Sequence, residues 1–267
     1  MLWLARNTYQ GTGGQQSAMA VREACPACGS QHFKKNGHMH TGKQHHPCQA
    51  CGSQVVLHAD NRVMNEEQRT LVERLLCENI SLHGICRAVG VSIRWLMDFM
   101  VARFQALPDH LHVQPVASPG DVSMGRLEAE ADEMWSFVKQ KTNRQWIWTA
   151  MDQQTRQVIA FHVGDRRRES AKQLWANLPE VYREQARFHT DQYDAYIGVI
   201  PAERHKAVTK DARKTNHIER FNTTLRQGIS RLVRETLAFS KKVENHIDAI
   251  RYFICDYNLT RATALPV

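Results

Sequence analysis

The chain has 267 residues, enough for one full-size core and one or two smaller modules, and its 35 Lys and Arg against 27 Asp and Glu leave a formal charge of +8. That excess favours an anionic partner such as nucleic acid. There is no run of about 18 apolar residues, and the opening M-L-W-L-A-R has neither a basic start nor a long apolar stretch, so the sequence argues against a membrane partner or a secretory leader and predicts a soluble, cytoplasmic protein with reduced thiols.

Residues 1–20 are rich in Gly and Gln without periodicity and are expected to be a disordered extension, with Met19 an alternative start. Residues 21–60 carry Cys25 and Cys28, then Cys48 and Cys51, in the settings C-P-A-C-G and P-C-Q-A-C-G. Each C-x-x-C turn can aim two thiolates at one tetrahedral ion, which predicts a ribbon built on a structural Zn²⁺. The competing reading is a pair of disulfides. Against it, the chain has seven cysteines, and Cys77, Cys86 and Cys255 fall within apolar helical patterns as small core residues. His32, His38, His40, His45, His46 and His58 share the segment and could in principle replace a sulfur, but four thiolates already complete a site, so most of them read as surface or phosphate-facing groups.

Residues 61–106 contain three apolar stripes at helical spacing: Leu71, Val72, Leu75 and Leu76; Leu82, Ile85, Cys86 and Val89; and Ile93, Leu96, Met97, Met100 and Val101. Ser81 can cap the second helix, Gly90 can end it in a left-handed conformation, and Ser92 can cap the third. The short join A-V-G-V-S is helix-turn-helix punctuation, and the third helix would present Arg94 and Trp95 near the end that meets base edges. An ordinary three-helix bundle has the same stripes; a ribbon just upstream in a basic chain tilts the reading toward DNA.

Residues 107–125 hold three prolines and two glycines with no periodic pattern and read as a linker. From 126 to 262 the pattern is that of an α/β domain. R-L-E-A-E-A-D-E-M-W-S-F-V, Q-W-I-W-T-A-M-D and R-Q-V-I-A-F-H-V predict three consecutive antiparallel strands, the last two joined by the turn D-Q-Q-T. A helix near 168–178, a strand A-R-F-H-T-D ending at Asp191, a strand H-K-A-V-T and a long basic helix from about Thr215 follow. A final helical pattern over 239–257 carries Val243, Ile247, Ile250 and Ile254, which could pack on the core or make a contact between copies. Three strands, helix, strand, helix, strand, helix is the order of an RNase H-like fold, so the expected architecture is an RNase H-like catalytic domain preceded by a zinc ribbon and a helix-turn-helix domain.

In that order Asp132 lies on the first strand, Asp191 at the C-terminal end of the fourth and Glu219 in the first turns of a helix, positions able to converge at one sheet edge. Three carboxylates held together repel unless cations neutralise them, and hard oxygen donors with room for water suit Mg²⁺ or Mn²⁺. Two such ions would activate a water or a DNA 3′-OH and stabilise the leaving oxygen of an in-line phosphoryl transfer. On the basic helix, Asn216, Glu219, Thr223 and Arg226 share one face and Ile218, Phe221 and Leu225 another, while Lys210, Arg213, Lys214, Arg220, Arg226, Arg231 and Arg234 would welcome a phosphate backbone. Taken singly, each acid reads as solvated surface; topology rather than acidity selects these three. Glu133 adjoins Asp132 but should point to the other face, and Asp194 follows the strand end, where a turn role fits better. Trp135, Trp146, Trp148 and Trp175 read as core, and Tyr193 and Tyr196 as packing residues rather than base-stacking ones.

The runs A-D-E-M-W-S-F-V, H-T-D-Q-Y-D-A-Y, K-T-N-H-I-E-R-F-N-T-T-L-R and L-A-F-S-K-K-V-E-N-H resemble the catalytic region of insertion-sequence transposases of the IS-one family, and the ribbon with its helix pair resembles their DNA-binding part. The resemblance runs from about residue 23 to about residue 262. It implies a DDE-type transposase that binds double-stranded DNA at the terminal inverted repeats of its element and at the target and then nicks and joins it. Asp132, Asp191 and Glu219 match the acidic triad, and Arg220, Asn222 and Arg226 match the polar residues after the glutamate. Two DNA ends must be brought together, so a homodimer or larger homo-oligomer is expected. In that family two reading frames are typically joined by frameshifting, whereas this chain is continuous. The rival readings are a sequence-specific DNA-binding regulator whose α/β domain is inactive and a nuclease indifferent to terminal repeats; a tyrosine-nucleophile recombinase lacks the clustered Arg and His it would need.

Overall fold

The computed structural model describes residues 20–21, 23–38, 44–59, 64–114, 127–209, 215–232 and 240–264. The expected extension up to Met19, His40, residues 115–125 of the expected linker, and Lys210, Arg213, Lys214 and Arg234 lie outside the described residues. The chain divides into two compact units, residues 1–69 and 70–267.

The first unit contains two small antiparallel ladders. β1 (Ala20–Val21) pairs with β4 (His58–Ala59), and β2 (His46–Pro47) pairs with β3 (Gln54–Val55). Their interior is slight: Cys25, Cys48 and Val55 are buried, with Phe33 and Leu57 packed against them. A core this small needs another source of cohesion.

Helix α1 (Glu66–Leu75) leads into α2 (Leu82–Val89) and α3 (Ile93–Gln105). The expected punctuation is present: Ser81 Oγ accepts from Gly84 N, Gly90 adopts φ 75°, and Ser92 Oγ accepts from Trp95 N. Val72, Ile85 and Leu96 are fully buried, whereas Leu71, Ile93 and Val101 from the same stripes are exposed, because short helices bury only a narrow strip each. The chain after α3 is not a free tether. Leu111 is buried, Asp109 pairs with Arg251 at 2.6 Å, and Gln114 N donates to Gln157 Oε1 at 3.1 Å.

The larger unit is built on a five-stranded sheet of β5 (Glu128–Phe137), β6 (Arg144–Asp152), β7 (Val158–Gly164), β8 (Arg187–Thr190) and β9 (His205–Ala207), in the order β7-β6-β5-β8-β9. β6 is antiparallel to both its neighbours, and β5, β8 and β9 are mutually parallel. Between β7 and β8 lie α4 (Arg168–Asn177) and the short α5 (Glu180–Gln185); α6 (Asn216–Gly228) and α7 (Val243–Ala264) complete the unit. One sheet face, with Ala131, Trp148 and Ala150, is covered by Leu174, Leu178 and Tyr182. The other, with Met134 and Ile147, meets Ile218, Phe221 and Leu225 of α6 and Ile250 and Ile254 of α7. Alternation along β5 and β6 thus divides two cores.

Three details depart from expectation. The helix anticipated between the fourth and fifth strands is a single 3₁₀ turn, Asp194–Tyr196, because Gly198 takes φ 73° and Pro201 follows. α5 appears where the sequence pattern showed none, with Pro179 at its N-cap. The third strand starts at Val158 rather than Arg156, since Arg156 has φ 62° and Asp152 Oδ1 gathers Gln154 N, Thr155 N and Thr155 Oγ1 into a tight turn.

The end of α7 is tied to distant segments by one side chain. Asn258, fully buried, donates from Nδ2 to Leu111 O at 2.8 Å and Val158 O at 2.9 Å and accepts from Val158 N at 2.9 Å.

Candidate metal centre and active site

In the first unit the two C-x-x-C segments form matching knuckles. Gly29 N donates to Cys25 O and Cys25 N to Ser30 O; Gly52 N donates to Cys48 O and Cys48 N to Ser53 O; all four bonds are 2.8 Å. Gly29 and Gly52 hold φ of 73° and 74°, which frees each turn to point both its sulfurs the same way. Cys25 Sγ lies 3.7 Å from Cys51 Sγ and Cys28 Sγ 3.6 Å from Cys48 Sγ, and all four sulfurs lie within 4.8 Å of one another. A tetrahedron with metal–sulfur bonds of about 2.3 Å has edges of about 3.8 Å. The sulfurs therefore fit one tetrahedral ion, and none is in a disulfide. Hydrogen bonds from the Ser53 side chain and backbone hold Cys51 down to about 6. Among the described residues no other His, Cys, Asp and Glu group is this tight.

In the second unit Arg94 is exposed at the start of α3, and Trp95 stacks on Phe99 with centroids 5.0 Å apart. Arg220 is also exposed. Asn222 and Arg226 are engaged within the protein: Asn222 Nδ2 donates to Asp132 Oδ2 at 2.8 Å, and Arg226 Nη2 to Trp135 O at 3.2 Å.

The three acids gather around the central parallel pair. β5 and β8 pair with Glu128 opposite Arg187 and Glu130 opposite His189, so the same register carried two residues further sets Asp132 alongside Asp191, just past the end of β8. Glu219 stands in the first turn of α6, whose apolar side packs on the same sheet face. Burial pushes Asp132 up to about 6, with the charges of Asp191 and Glu219 adding to the effect and hydrogen bonds from the Glu133 backbone and the Asn222 side chain opposing it. The three carboxylates thus share one electrostatic field, though more loosely spaced than the four sulfurs. A donor set of three carboxylates fits hard divalent cations.

Glu133 occupies the opposite face of β5, as alternation requires. Its Oε1 accepts from Arg166 Nε and Nη2 at 3.1 and 2.9 Å and its Oε2 from Tyr196 at 3.2 Å. Burial drives it up to about 7 despite Arg166, with Asp132 and Asp191 adding to the rise. The Arg166 guanidinium lies 4.4 Å from the ring centroids of both Trp146 and Tyr193. Tyr193 and Tyr196 therefore serve packing and this ion pair, and Asp194 is exposed in its 3₁₀ turn. Motif reading passed over Glu130, which reaches the start of α6: its Oε2 accepts from His217 N at 3.0 Å and Ile218 N at 2.9 Å. The only signal for it was its place on the same strand face as Asp132.

Comparison with known proteins covers this same region. A family model described as IS1 transposase matches residues 126–259. The chain is 36% identical over 128 residues to insertion element iso-IS1n protein InsB of Shigella dysenteriae, covering 48% of this chain and 94% of that protein. It is 34% identical over 126 residues to insertion element IS1 protein InsB of Shigella flexneri, covering 47% and 92% respectively. An insertion element IS1 4 protein InsB of Escherichia coli K12 is 32% identical over 126 residues, with 47% and 72% covered. The matched stretch contains the whole sheet together with Asp132, Asp191 and Glu219, and the chain belongs to the IS1 transposase family.

Proposed function

We propose that the protein is the DNA transposase of an insertion sequence, organised as a zinc ribbon (21–60), a helix-turn-helix (61–106) and an RNase H-like catalytic domain (126–262). The strand order β7-β6-β5-β8-β9, with only β6 reversed, supports the last assignment. The capped join between α2 and α3 supports the second, and the sulfur tetrahedron supports a resident Zn²⁺ at Cys25, Cys28, Cys48 and Cys51.

The observation that carries the catalytic reading is the shared field of Asp132, Asp191 and Glu219 beside the central parallel pair. These carboxylates would hold Mg²⁺ or Mn²⁺, which when bound supplies charge neutralisation and activation of the attacking oxygen. The chain's own part is to fix the donors. Asn222 holds Asp132 through Oδ2, Thr215 Oγ1 donates to Glu219 Oε1 at 3.2 Å, and Asp191 Oδ1 accepts from Tyr193 N at 3.0 Å. Arg94 and Trp95 would read terminal repeats, and the exposed Arg220 would line the path of the DNA backbone, while Asn222 and Arg226 would hold the acidic site in place. Joining two ends calls for a homodimer or larger homo-oligomer.

Asp191→Asn and Glu219→Gln should abolish nicking and strand transfer while leaving repeat binding in gel shifts nearly intact, because the amides keep size but lose the anionic donors. Strand transfer by either variant at the wild-type rate would refute the assignment, and a wild-type protein that binds repeats but never cleaves would favour the regulator.

A further inference from the structure

The first helical N–H groups of α6 need acceptors, and the residue in the usual capping place does not provide one. Thr215, at the N-cap, makes no side-chain capping bond. Its hydroxyl is turned to Glu219 Oε1 instead, at 3.2 Å. The missing acceptor comes from the sheet. Glu130 is fully buried, its Oε2 takes His217 N at 3.0 Å and Ile218 N at 2.9 Å, its Oε1 accepts from Gln153 Nε2 at 3.3 Å, and the His217 ring nitrogen lies 3.9 Å away. A carboxylate at this end of a helix also complements its dipole.

We propose that Glu130 is the positioning residue of the acidic site: it caps α6 from the strand that carries Asp132, leaving the Thr215 hydroxyl to orient Glu219. Glu130 and Asp132 are two residues apart on one face of β5, so one stretch of strand supplies a metal ligand and fixes the helix bearing another. A cap from α6's own flank would hold the helix together equally well but would not tie its start to the sheet. The inference rests on the reading of Asp132, Asp191 and Glu219 as the metal-binding donors.

The test is Mn²⁺ binding to the full chain, followed by loss of the free-ion EPR signal, for wild type, Glu130→Gln, Thr215→Val, Thr215→Ser, Asp132→Asn and Glu219→Gln. Glu130→Gln and Thr215→Val should each weaken Mn²⁺ binding about tenfold at unchanged stoichiometry, the size typical of groups that orient ligands, and Thr215→Ser should bind like wild type. A purely structural role would lower the bound fraction without changing the affinity of the folded molecules. Should Glu130→Gln not fold, Thr215→Val, which leaves the cap intact, still decides the second half of the proposal. Wild-type affinity in Glu130→Gln or Thr215→Val, with Asp132→Asn and Glu219→Gln impaired, overturns the positioning role alone. Wild-type affinity in Asp132→Asn and Glu219→Gln overturns the acidic site itself.

Discussion

Without a divalent cation, Asp132→Asn should stabilise the larger unit, although Asp132 is central to the proposed chemistry. Burial and the nearby carboxylates raise Asp132 from an ordinary 3.8 to about 6. The native state therefore holds this proton more tightly than the unfolded chain does. Its contribution to stability is present in full below pH 3.8 and is lost as the pH rises through about 6. The whole shift corresponds to at most about 3 kcal/mol. Asparagine has no proton to lose, and its amide oxygen can still accept from Asn222, whose own buried Oδ1 has no partner among the described residues. The variant should exceed wild type by about 3 kcal/mol at pH 7.5 and by about half that at pH 5. Urea unfolding followed by tryptophan fluorescence reports on the sheet through Trp146 and Trp148, and chelators are left out so that the cysteine site is undisturbed. Added Mg²⁺ should narrow the gap, because only wild type gains binding free energy. A variant no more stable than wild type at pH 7.5, or a gap identical at the two pH values, would refute the reasoning.

Cys48→Ser should release zinc and unfold the first unit while the second keeps its near-ultraviolet dichroism, since structural zinc supplies about 10 to 16 kcal/mol of apparent folding energy; metal analysis of the purified variant checks this. Gly228→Ala should destabilise by about 1 to 3 kcal/mol through overpacking, outweighing alanine's helix propensity, because a Cβ there would meet Phe253 Cε2 at 2.0 Å and Cys77 O at 3.0 Å. A urea midpoint at or above wild type would show that Phe253 yields. Arg94→Ala should weaken binding to terminal-repeat DNA by about 1 to 3 kcal/mol if its guanidinium reads a base pair, and an equal loss on random DNA would assign it to phosphate.

Features set by neighbours in sequence were the most legible. The caps at Ser81, Gly90 and Ser92 depend on a few adjacent residues, and the cysteine knuckles on four positions each. Strands β5 and β6 were visible because alternation between two cores repeats at every second residue. Contacts across the sheet were not. Glu130 reaches His217 and Ile218 over separations of 87 and 88 residues, and in E-A-E-A-D-E nothing local distinguishes a helix cap from a metal ligand. Asn222 and Arg226 match, by resemblance, the polar residues after the family's glutamate, yet they meet Asp132 and the Trp135 carbonyl, contacts that depend on how α6 crosses β5. Alternation alone assigns Glu133 to the face of β5 opposite Asp132, where it meets Arg166 and Tyr196, but parity does not reveal that its buried carboxyl still feels Asp132 and Asp191.

Asn258 sets an order on the folding of the larger unit. Its bonds to Val158 and Leu111 close loops of 100 and 147 residues, so they belong to the slow, non-local part of assembly and cannot form until synthesis has passed residue 258. A nascent or prematurely terminated chain that lacks the end of α7 leaves the polar groups of Val158 and Leu111 without this partner and the apolar sheet face without Ile250 and Ile254. Such fragments carry the exposed surface that chaperones and proteases recognise, so cellular quality control should remove copies of this protein that stop short of α7.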